Sequence, residues 1–193
     1  MALTSRFADA LVFAAQLHQN QKRKGPEEIP YIAHLLTVAG IVIEYGGTED
    51  EAIAALLHDA VEDQGGAPVR DRIQRRFGQE VTKIVDGCTD TDQTPKPPWR
   101  ERKEKYVAHL RDAPPSTLLV SAADKLANAR SLVMDFRKAG HRLWERFNAG
   151  RDDTLWYYRS ILEAVPRSDE RVKTVAEELE RVVAELEKLV LTN

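Results

Sequence analysis

The chain has few of the features that would place it outside the cell or in a membrane. Its 193 residues include a single cysteine, Cys88, so an intrachain disulfide is excluded, and such low cysteine usage fits a reducing compartment. No apolar run is long enough to span a bilayer, and the N-terminal segment lacks the apolar core of a signal peptide. The formal net charge is only −3, which gives no overall field toward nucleic acid or membrane surfaces. We therefore expect a cytoplasmic protein that binds neither membrane nor extended nucleic acid.

Strand-like patterning is also missing, because no segment shows sustained alternation of apolar and polar residues. Apolar residues instead recur three and four positions apart, as in Val69, Ile73 and Phe77, which is the spacing of amphipathic helices. The chain length suits one domain with a sizeable core. The sequence predicts an all-α fold, with helices over residues 1–21 and 116–133 and a long non-helical segment over residues 89–98.

The C-terminal segment carries its own helical pattern. Its apolar residues alternate three and four apart, the spacing of a coiled-coil seam: Val172, Val175, Leu179, Val182, Leu186 and Leu189. A seam of about three heptads is marginal as an isolated helix. We therefore divide the chain into a domain over residues 1–165 and an additional amphipathic helix over residues 166–193. That helix is expected to pack on the domain, with a homodimer interface as the alternative.

The segment His58-Asp59-Ala60-Val61-Glu62-Asp63 concentrates four metal-binding or proton-transferring side chains in six residues. It directly follows an apolar helical run, so the sequence predicts that the helix continues through it. Side chains four residues apart would then share a face. One alternative is a solvated acidic helix end. Carboxylates near a helix C-terminus oppose the helix dipole, however, and a bound cation would compensate them.

Two further candidate ligands lie elsewhere in the chain. His34 precedes an apolar helical run, where a lone histidine is also compatible with a core residue. Asp124 ends a strongly apolar stretch, and burying it without a partner would cost several kcal/mol. The order His34, His58-Asp59, Asp124 supplies two imidazoles and two carboxylates, which is enough to bind one divalent ion.

This order resembles the HD-domain metal-dependent phosphohydrolases. Four blocks are similar to the hydrolase domain of RelA/SpoT homologues and to the small alarmone hydrolases in particular: Arg23-Lys24-Gly25, Pro30-Tyr31-Ile32-Ala33-His34, His58-Asp59-Ala60-Val61-Glu62-Asp63 and Ala123-Asp124-Lys125-Leu126-Ala127-Asn128. The resemblance covers roughly the first 165 residues and implies a single HD-domain helical bundle. It further implies one divalent ion, Mn²⁺, and removal of pyrophosphate from the ribose 3′ position of ppGpp or pppGpp.

The resemblance also assigns roles to residues. It implies that the ion is held by His34, His58, Asp59 and Asp124, and that Glu62 and Asp63 orient water and move protons. It places Arg23, Lys24, Asn128 and Ser131 against a nucleotide, with Ser131 standing where the family more often has threonine. The cations Lys96, Arg102 and Lys103 are added here because a substrate with several phosphates needs positive charge beyond the ion.

Two other functions stay open at this stage. The first is an HD phosphohydrolase for another nucleotide, such as NADPH at its 2′-phosphate, a deoxynucleoside monophosphate or a pyrophosphorylated RNA end. The second is a nucleotide-binding module without catalysis. The segment Pro97-Pro98-Trp99 departs from the family pattern and could reshape the pocket, which bears on the choice of substrate. The complete set of proposed ligands, together with Glu62 and Asp63, disfavours the non-catalytic alternative.

Overall fold

The structure is a computed structural model that describes residues 2–25, 27–91, 93 and 95–192. Its helices are α1 (Ser5–Leu17), α2 (Ile32–Glu44), α3 (Glu49–Leu57), α4 (Ala60–Gln64), α5 (Ala67–Phe77), α6 (Gln79–Cys88), α7 (Trp99–Leu110), α8 (Pro115–Ala139), a 3-10 helix (Gly140–Arg146), α9 (Gly150–Ala164) and α10 (Glu170–Thr192). The described residues contain no β-strand, although an isolated bridge pairs Lys22 with Pro30. The all-α prediction is therefore confirmed.

Helix α8 forms the centre of the bundle. It begins at Pro115, in the first turn, where a missing backbone N–H costs nothing. Small buried side chains such as Ala123 and Ala127 let α2, α3, α6 and α10 pack against it. The helix predicted over residues 116–133 is thus present and extends further at its C-terminal end. Asp124 consequently lies midway along a helix that is buried on several sides.

The helix predicted to run through the acidic segment is interrupted, which corrects that expectation. Helix α3 ends at Leu57, His58 and Asp59 form a turn, and α4 begins at Ala60. The backbone opens at Asp59, whose φ and ψ are −95° and −3°. Because of this opening, the side chains of two consecutive residues converge. On a regular helix they would point about 100° apart.

The first helix is also shorter than predicted. The predicted span was 1–21, but α1 ends at Leu17, and His18 caps it with its backbone N–H on the Ala14 carbonyl. The following turn is held by two backbone hydrogen bonds of 3.0 Å, from Gln21 N–H to the His18 carbonyl and from Tyr31 N–H to the Gln21 carbonyl. This segment therefore leads into α2 in a fixed conformation.

The non-helical segment predicted over residues 89–98 connects α6 to α7, as expected, although Asp92 and Thr94 lie outside the described residues. At the other end of the chain, α10 packs along α8 and also touches α9. Its apolar seam is buried there from Val172 to Leu186, so those side chains are not free to form a coiled coil with another chain. The boundary at residues 165 and 166 stays a prediction. Among the described residues, no helix combines the length and the apolar character needed to cross a bilayer.

Candidate functional site

The four proposed metal ligands come from three parts of the bundle. His34 lies in the first turn of α2, His58 and Asp59 form the turn after α3, and Asp124 projects from α8. The Asp59 Oδ2 atom lies 3.0 Å from His58 Nε2 and 3.7 Å from His34 Nε2. The Asp124 Oδ1 atom lies 3.1 Å from His34 Nε2 and 3.6 Å from His58 Nε2. The fold thus brings all four side chains to one place.

The chemistry of this cluster fits a divalent metal ion. Donor atoms about 2.1 Å from a common centre lie about 3.0 to 3.5 Å apart, close to the observed spacing. The Nε2 atoms of His34 and His58 are buried, and among the described residues they make no hydrogen bond of normal geometry, although carboxylate oxygens lie 3.0 to 3.7 Å away. A buried polar atom of that kind requires an explanation. Potential ligand atoms of His34, His58 and Asp59 all lie within 4.8 Å of one another. Asp124 Oδ1 lies 3.1 and 3.6 Å from the two Nε2 atoms of this group. A cation among the four side chains would satisfy both imidazoles and both carboxylates.

The pKa shifts of the two histidines are also consistent with a bound divalent ion. Burial lowers the pKa of His34, which favours the neutral ring that a metal requires. Burial also lowers the pKa of His58, but the Asp59 and Asp124 carboxylates outweigh it and hold that pKa well above its ordinary value. Without a metal, the carboxylates therefore favour a proton on His58. A divalent ion would replace that proton.

A second layer of hydrogen bonds fixes the ligands. The His58 Nδ1 atom lies 2.8 Å from the Ala55 carbonyl, which selects the tautomer with Nε2 free for a metal. The Tyr31 hydroxyl donates to Asp59 Oδ2 at 2.6 Å. Burial raises the pKa of Tyr31 far above its ordinary value, and the Asp59 charge raises it further, so this hydroxyl stays a donor.

Asp124 has the strongest support of the four. Asn128 Nδ2 donates to Asp124 Oδ1 at 2.6 Å, and Lys125 Nζ donates to Asp124 Oδ2 at 2.5 Å. Burial alone would raise the pKa of Asp124, but the Lys125 ammonium group holds that pKa well below its usual range. The carboxylate is therefore ionised and oriented. Lys125 belongs to the sequence motif, but no role could be assigned to it before its contact with Asp124 was seen.

Glu62 and Asp63 lie beside this cluster, one turn further along the chain on α4. Lys96 Nζ donates to Glu62 Oε1 at 2.8 Å, and Gln21 Nε2 donates to Asp63 Oδ2 at 2.8 Å. Their side chains are 18% and 25% exposed, respectively. Both carboxylates are therefore accessible to water while being held in place by neighbours that are distant in sequence.

A cavity of about 520 Å³ opens above the carboxylates. Its lining includes every residue that the sequence proposed for catalysis or substrate binding: Glu62, Asp63, Arg23, Lys24, Lys96, Arg102, Lys103, Asn128 and Ser131. Asp59 and Asp124 also line it. This volume falls in the range of small-molecule sites. The structure thus supplies a nucleotide-sized space directly beside the candidate metal centre.

The cationic side chains of the cavity differ in whether a neighbouring carboxylate already neutralises them. Lys96 pairs with Glu62, while Arg102 and Lys103 both donate to Asp90 Oδ2, the latter at 2.8 Å. Arg23 donates to the neutral amide of Asn128 at 3.0 Å. Burial lowers the pKa of Lys103, and the nearby Lys125 charge lowers it further.

Lys24 is in a different position. It contacts the Phe147 ring at 5.6 Å and is in no ion pair with the described residues. Its ammonium group is therefore the freest of the proposed phosphate contacts. Ser131 donates to the Ala127 carbonyl at 3.1 Å, so its hydroxyl keeps acceptor capacity toward the cavity.

An aromatic wall, which the sequence did not reveal, closes the cavity on the side of α9. Phe147, Tyr157 and Tyr158 line it together with Asn148 and Thr154. Such surfaces suit the stacking and hydrogen bonding of a planar base. These residues are remote from the metal-binding motifs in the chain, so no spacing rule could have linked them to the site.

Comparison with known proteins identifies the same family as the sequence motifs. The HD domain family model matches residues 10–155. The chain is 44% identical over 126 residues to guanosine-3′,5′-bis(diphosphate) 3′-pyrophosphohydrolase MESH1 of Xenopus tropicalis, covering 64% of this chain and 68% of that protein. The human protein of the same name is 39% identical over 130 residues, covering 66% of this chain and 70% of that protein.

Solved structures agree with the sequence matches. The structure of a metazoan SpoT orthologue that hydrolyses ppGpp aligns with a TM-score of 0.76 and 26% identity, covering 94% of this chain and 97% of that one. A Listeria monocytogenes protein aligns with a TM-score of 0.71 and 29% identity, covering 80% and 99%. The resemblance predicted from the motifs is confirmed, and the chain belongs to the HD domain family.

Proposed function

We propose that the protein is a metal-dependent hydrolase that removes pyrophosphate from the ribose 3′ position of ppGpp and pppGpp. The observation that carries this proposal is the convergence of two imidazoles and two carboxylates at the floor of a cavity with a cationic lining. Relatives that are named as enzymes of this reaction support the choice of substrate.

His34, His58, Asp59 and Asp124 are the residues that would hold the ion, and we propose Mn²⁺ because carboxylates supply half of this ligand set. When bound, the ion supplies Lewis acidity that stabilises negative charge on the phosphoryl oxygens. The two imidazoles would also accept Zn²⁺, Fe²⁺ or Co²⁺, so metal content after purification from a defined medium is the direct measurement of the identity of the ion.

In the proposed reaction, a water oxygen attacks the phosphorus atom that is joined to the ribose O3′ atom. A phosphorus–oxygen bond to water forms, and the bond from phosphorus to O3′ breaks. Glu62 accepts the proton from water, since it is accessible at the cavity edge and anchored by Lys96. Asp63 orients the water, and O3′ takes up a proton as it leaves. The products are pyrophosphate and GDP, or GTP from pppGpp.

The cations of the cavity would bind the phosphates that are not being cleaved. Lys96 donates to Glu62, Lys103 donates to Asp90, and Lys24 lies against the Phe147 ring. Arg23 donates to Asn128, and Ser131 lies on the next turn of α8, so these three residues form one part of the cavity lining. We propose that they contact the sugar and the base. A nucleotide with phosphate groups on both sides of its ribose would use more of these cations than a nucleoside monophosphate.

Lys24→Ala is expected to raise KM for ppGpp about tenfold while changing kcat by less than about twofold. The contact would exist equally in the ground state and the transition state, so its loss weakens binding without slowing the chemical step. The salt dependence of KM should also weaken. Steady-state kinetics at two ionic strengths measure both effects, and the exposed Lys188 of α10 provides the matched control as Lys188→Ala.

Arg102 is expected to behave differently, because its guanidinium group neutralises the buried Asp90. Arg102→Ala should raise KM and also lower the melting temperature, since it leaves a buried carboxylate with fewer partners. An unchanged KM in both Lys24→Ala and Arg102→Ala would contradict the assignment of phosphate contacts.

The substrate itself is tested by a panel assay of the purified protein with Mn²⁺. The panel contains ppGpp, pppGpp, NADPH, deoxynucleoside monophosphates and an RNA with a pyrophosphorylated end. We expect the highest kcat/KM for ppGpp or pppGpp. A clear preference for a monophosphate or for NADPH would replace the alarmone assignment by the corresponding nucleotide phosphohydrolase, and no turnover with any of them would contradict catalysis.

The cellular compartment and the oligomeric state of the protein are also proposals. The single cysteine is partly buried, and burial raises the pKa of its thiol, which disfavours the reactive thiolate. A cytoplasmic location is proposed from the low cysteine content of the chain. A homodimer through α10 would need a surface other than the buried seam. Sedimentation of the purified chain measures the oligomeric state directly.

A further inference from the structure

The turn that follows α1 contains Gln21, whose side-chain amide has no role in the reaction proposed above. Gln21 lines the cavity, and its backbone is held on one side by His18 and on the other by Tyr31. His18 itself is 2% exposed. A glutamine with a fixed backbone, next to a buried histidine and facing an active-site cavity, has little freedom to choose another partner.

The hydrogen-bond polarity of this group is determined by Asp63. An ionised carboxylate only accepts hydrogen bonds, so Gln21 must present its Nε2 group to Asp63 Oδ2, at 2.8 Å. Its Oε1 atom then faces inward. There it accepts from His18 Nδ1, at 2.7 Å, and from the Gln64 amide. The direction of the hydrogen bonds made by Gln21 is thus determined from the carboxylate inward.

The same histidine also supports the metal side of the site. The His18 ring stacks on the Tyr31 ring, with centroids 5.3 Å apart and planes 18° from parallel. Tyr31 in turn donates to Asp59. The buried His18 ring therefore contacts two residues of the site. Through Gln21 it is connected to Asp63, which is assigned to water orientation, and through Tyr31 it is connected to Asp59, a proposed metal ligand.

We propose that Gln21 is a positioning residue for Asp63 and that His18 orients Gln21 for this role. The proposal rests on the function assigned above, in which Asp63 orients the attacking water. Gln21 acts by fixing the rotamer of the carboxylate, so its effect falls on the chemical step. Among the described residues, Asp63 forms an ion pair with Lys96, whose Nζ atom lies 3.8 Å from Oδ1. Lys96 contacts the opposite oxygen, so it cannot replace the Gln21 contact.

Gln21→Met keeps the side-chain length but removes the donor. We expect kcat to fall about 10-fold to 30-fold with KM changed by less than about twofold, because outer-shell partners typically contribute effects of this size. Metal content and melting temperature should match those of the wild type. Gln19→Met is the matched control, since Gln19 is exposed two residues earlier, and it should leave kcat unchanged.

Gln21→Glu separates positioning from a merely structural role. Above the pKa of the introduced carboxyl, two carboxylates face each other and the donor is lost, so activity relative to wild type should be low. Below that pKa, the protonated carboxyl can donate to Asp63. The ratio of variant activity to wild-type activity should therefore rise as the pH is lowered from about 8 to about 5. His18, Lys96 and Asp63 are the titratable groups facing this position, and all three are shared with the wild type.

His18→Phe keeps the ring stack on Tyr31 but removes Nδ1. If His18 acts through Gln21, the double variant with Gln21→Met should be no slower than Gln21→Met alone. A wild-type kcat in Gln21→Met, or a Gln21→Glu ratio that is constant with pH, overturns the positioning role while leaving the proposed function intact. A wild type that does not hydrolyse ppGpp overturns both.

Discussion

Asp124→Ala is expected to abolish ppGpp hydrolysis and to yield protein with little bound metal. The variant removes one of only four proposed protein ligands, and that ligand is one of the two carboxylates that lie beside both imidazoles. It also leaves the Lys125 ammonium group buried without its main partner, so competition from positive charge at the site should increase. We expect kcat below detection and a metal content well under one ion per chain.

Metal analysis after dialysis and an activity assay with added Mn²⁺ measure both effects. Asp112→Ala is the matched control, since Asp112 is exposed at the end of the α7 region and should retain metal and activity. A full complement of metal in Asp124→Ala would remove this residue from the ligand set. Asp59→Ala should behave like Asp124→Ala, because it supplies the second carboxylate.

Glu62→Gln is expected to lower kcat about 10²-fold or more while leaving metal content unchanged. The amide keeps the shape of the side chain and can still accept the Lys96 hydrogen bond, but it cannot take a proton from water. KM should change little, because substrate binding does not depend on that proton. The loss should therefore appear in the chemical step alone.

Single-turnover kinetics and metal analysis of the same preparation check this result. Glu163→Gln on the exposed face of α9 is the matched control. A kcat close to that of the wild type would mean that another group accepts the proton, with Asp63 as the nearest carboxylate along the chain. The metal assignment would be unaffected by that outcome.

Much of the fold could be predicted from local pattern. The apolar spacing of Val69, Ile73 and Phe77 gives α5, and all three side chains are buried. The pair Pro114-Pro115 predicts the start of α8, because proline suits the first turn of a helix. In both cases the decisive interactions lie within one helix turn or at one helix end, where sequence neighbours are also spatial neighbours.

The breaks in regular structure were harder to predict. Nothing in the residue types at His58 and Asp59 forbids a continuous helix, and each has backbone angles in the right-handed helical region. The helix is interrupted at Asp59, where φ is −95° and ψ is −3°, a deviation from the values of a regular α-helix. That deviation depends on how α4 packs against α1 and α5, which is not encoded within the segment.

Contacts between distant segments were beyond sequence reasoning. Asp90 binds Arg102 and Lys103, and Gln21 binds Asp63 across 42 residues. Lys96 was predicted as a phosphate contact, yet its partner in the structure is Glu62. Polar residues of these types occur on any protein surface, so only the packing of the helices distinguishes them. The resemblance to a family supplied the ligand set, whereas the hydrogen bonds that orient it required coordinates.

Hydrolysis of ppGpp in water enriched in ¹⁸O is the most direct test of metal-dependent attack on the phosphorus atom next to O3′. The reaction is run with the wild-type protein and Mn²⁺, alongside a sample treated with a chelator, and the products are analysed by mass spectrometry. Attack on the phosphorus atom next to O3′ predicts one ¹⁸O atom in the pyrophosphate, an unlabelled GDP and no reaction in the chelated sample. Release of orthophosphate in place of pyrophosphate, ¹⁸O in the GDP or full activity without metal would contradict the account.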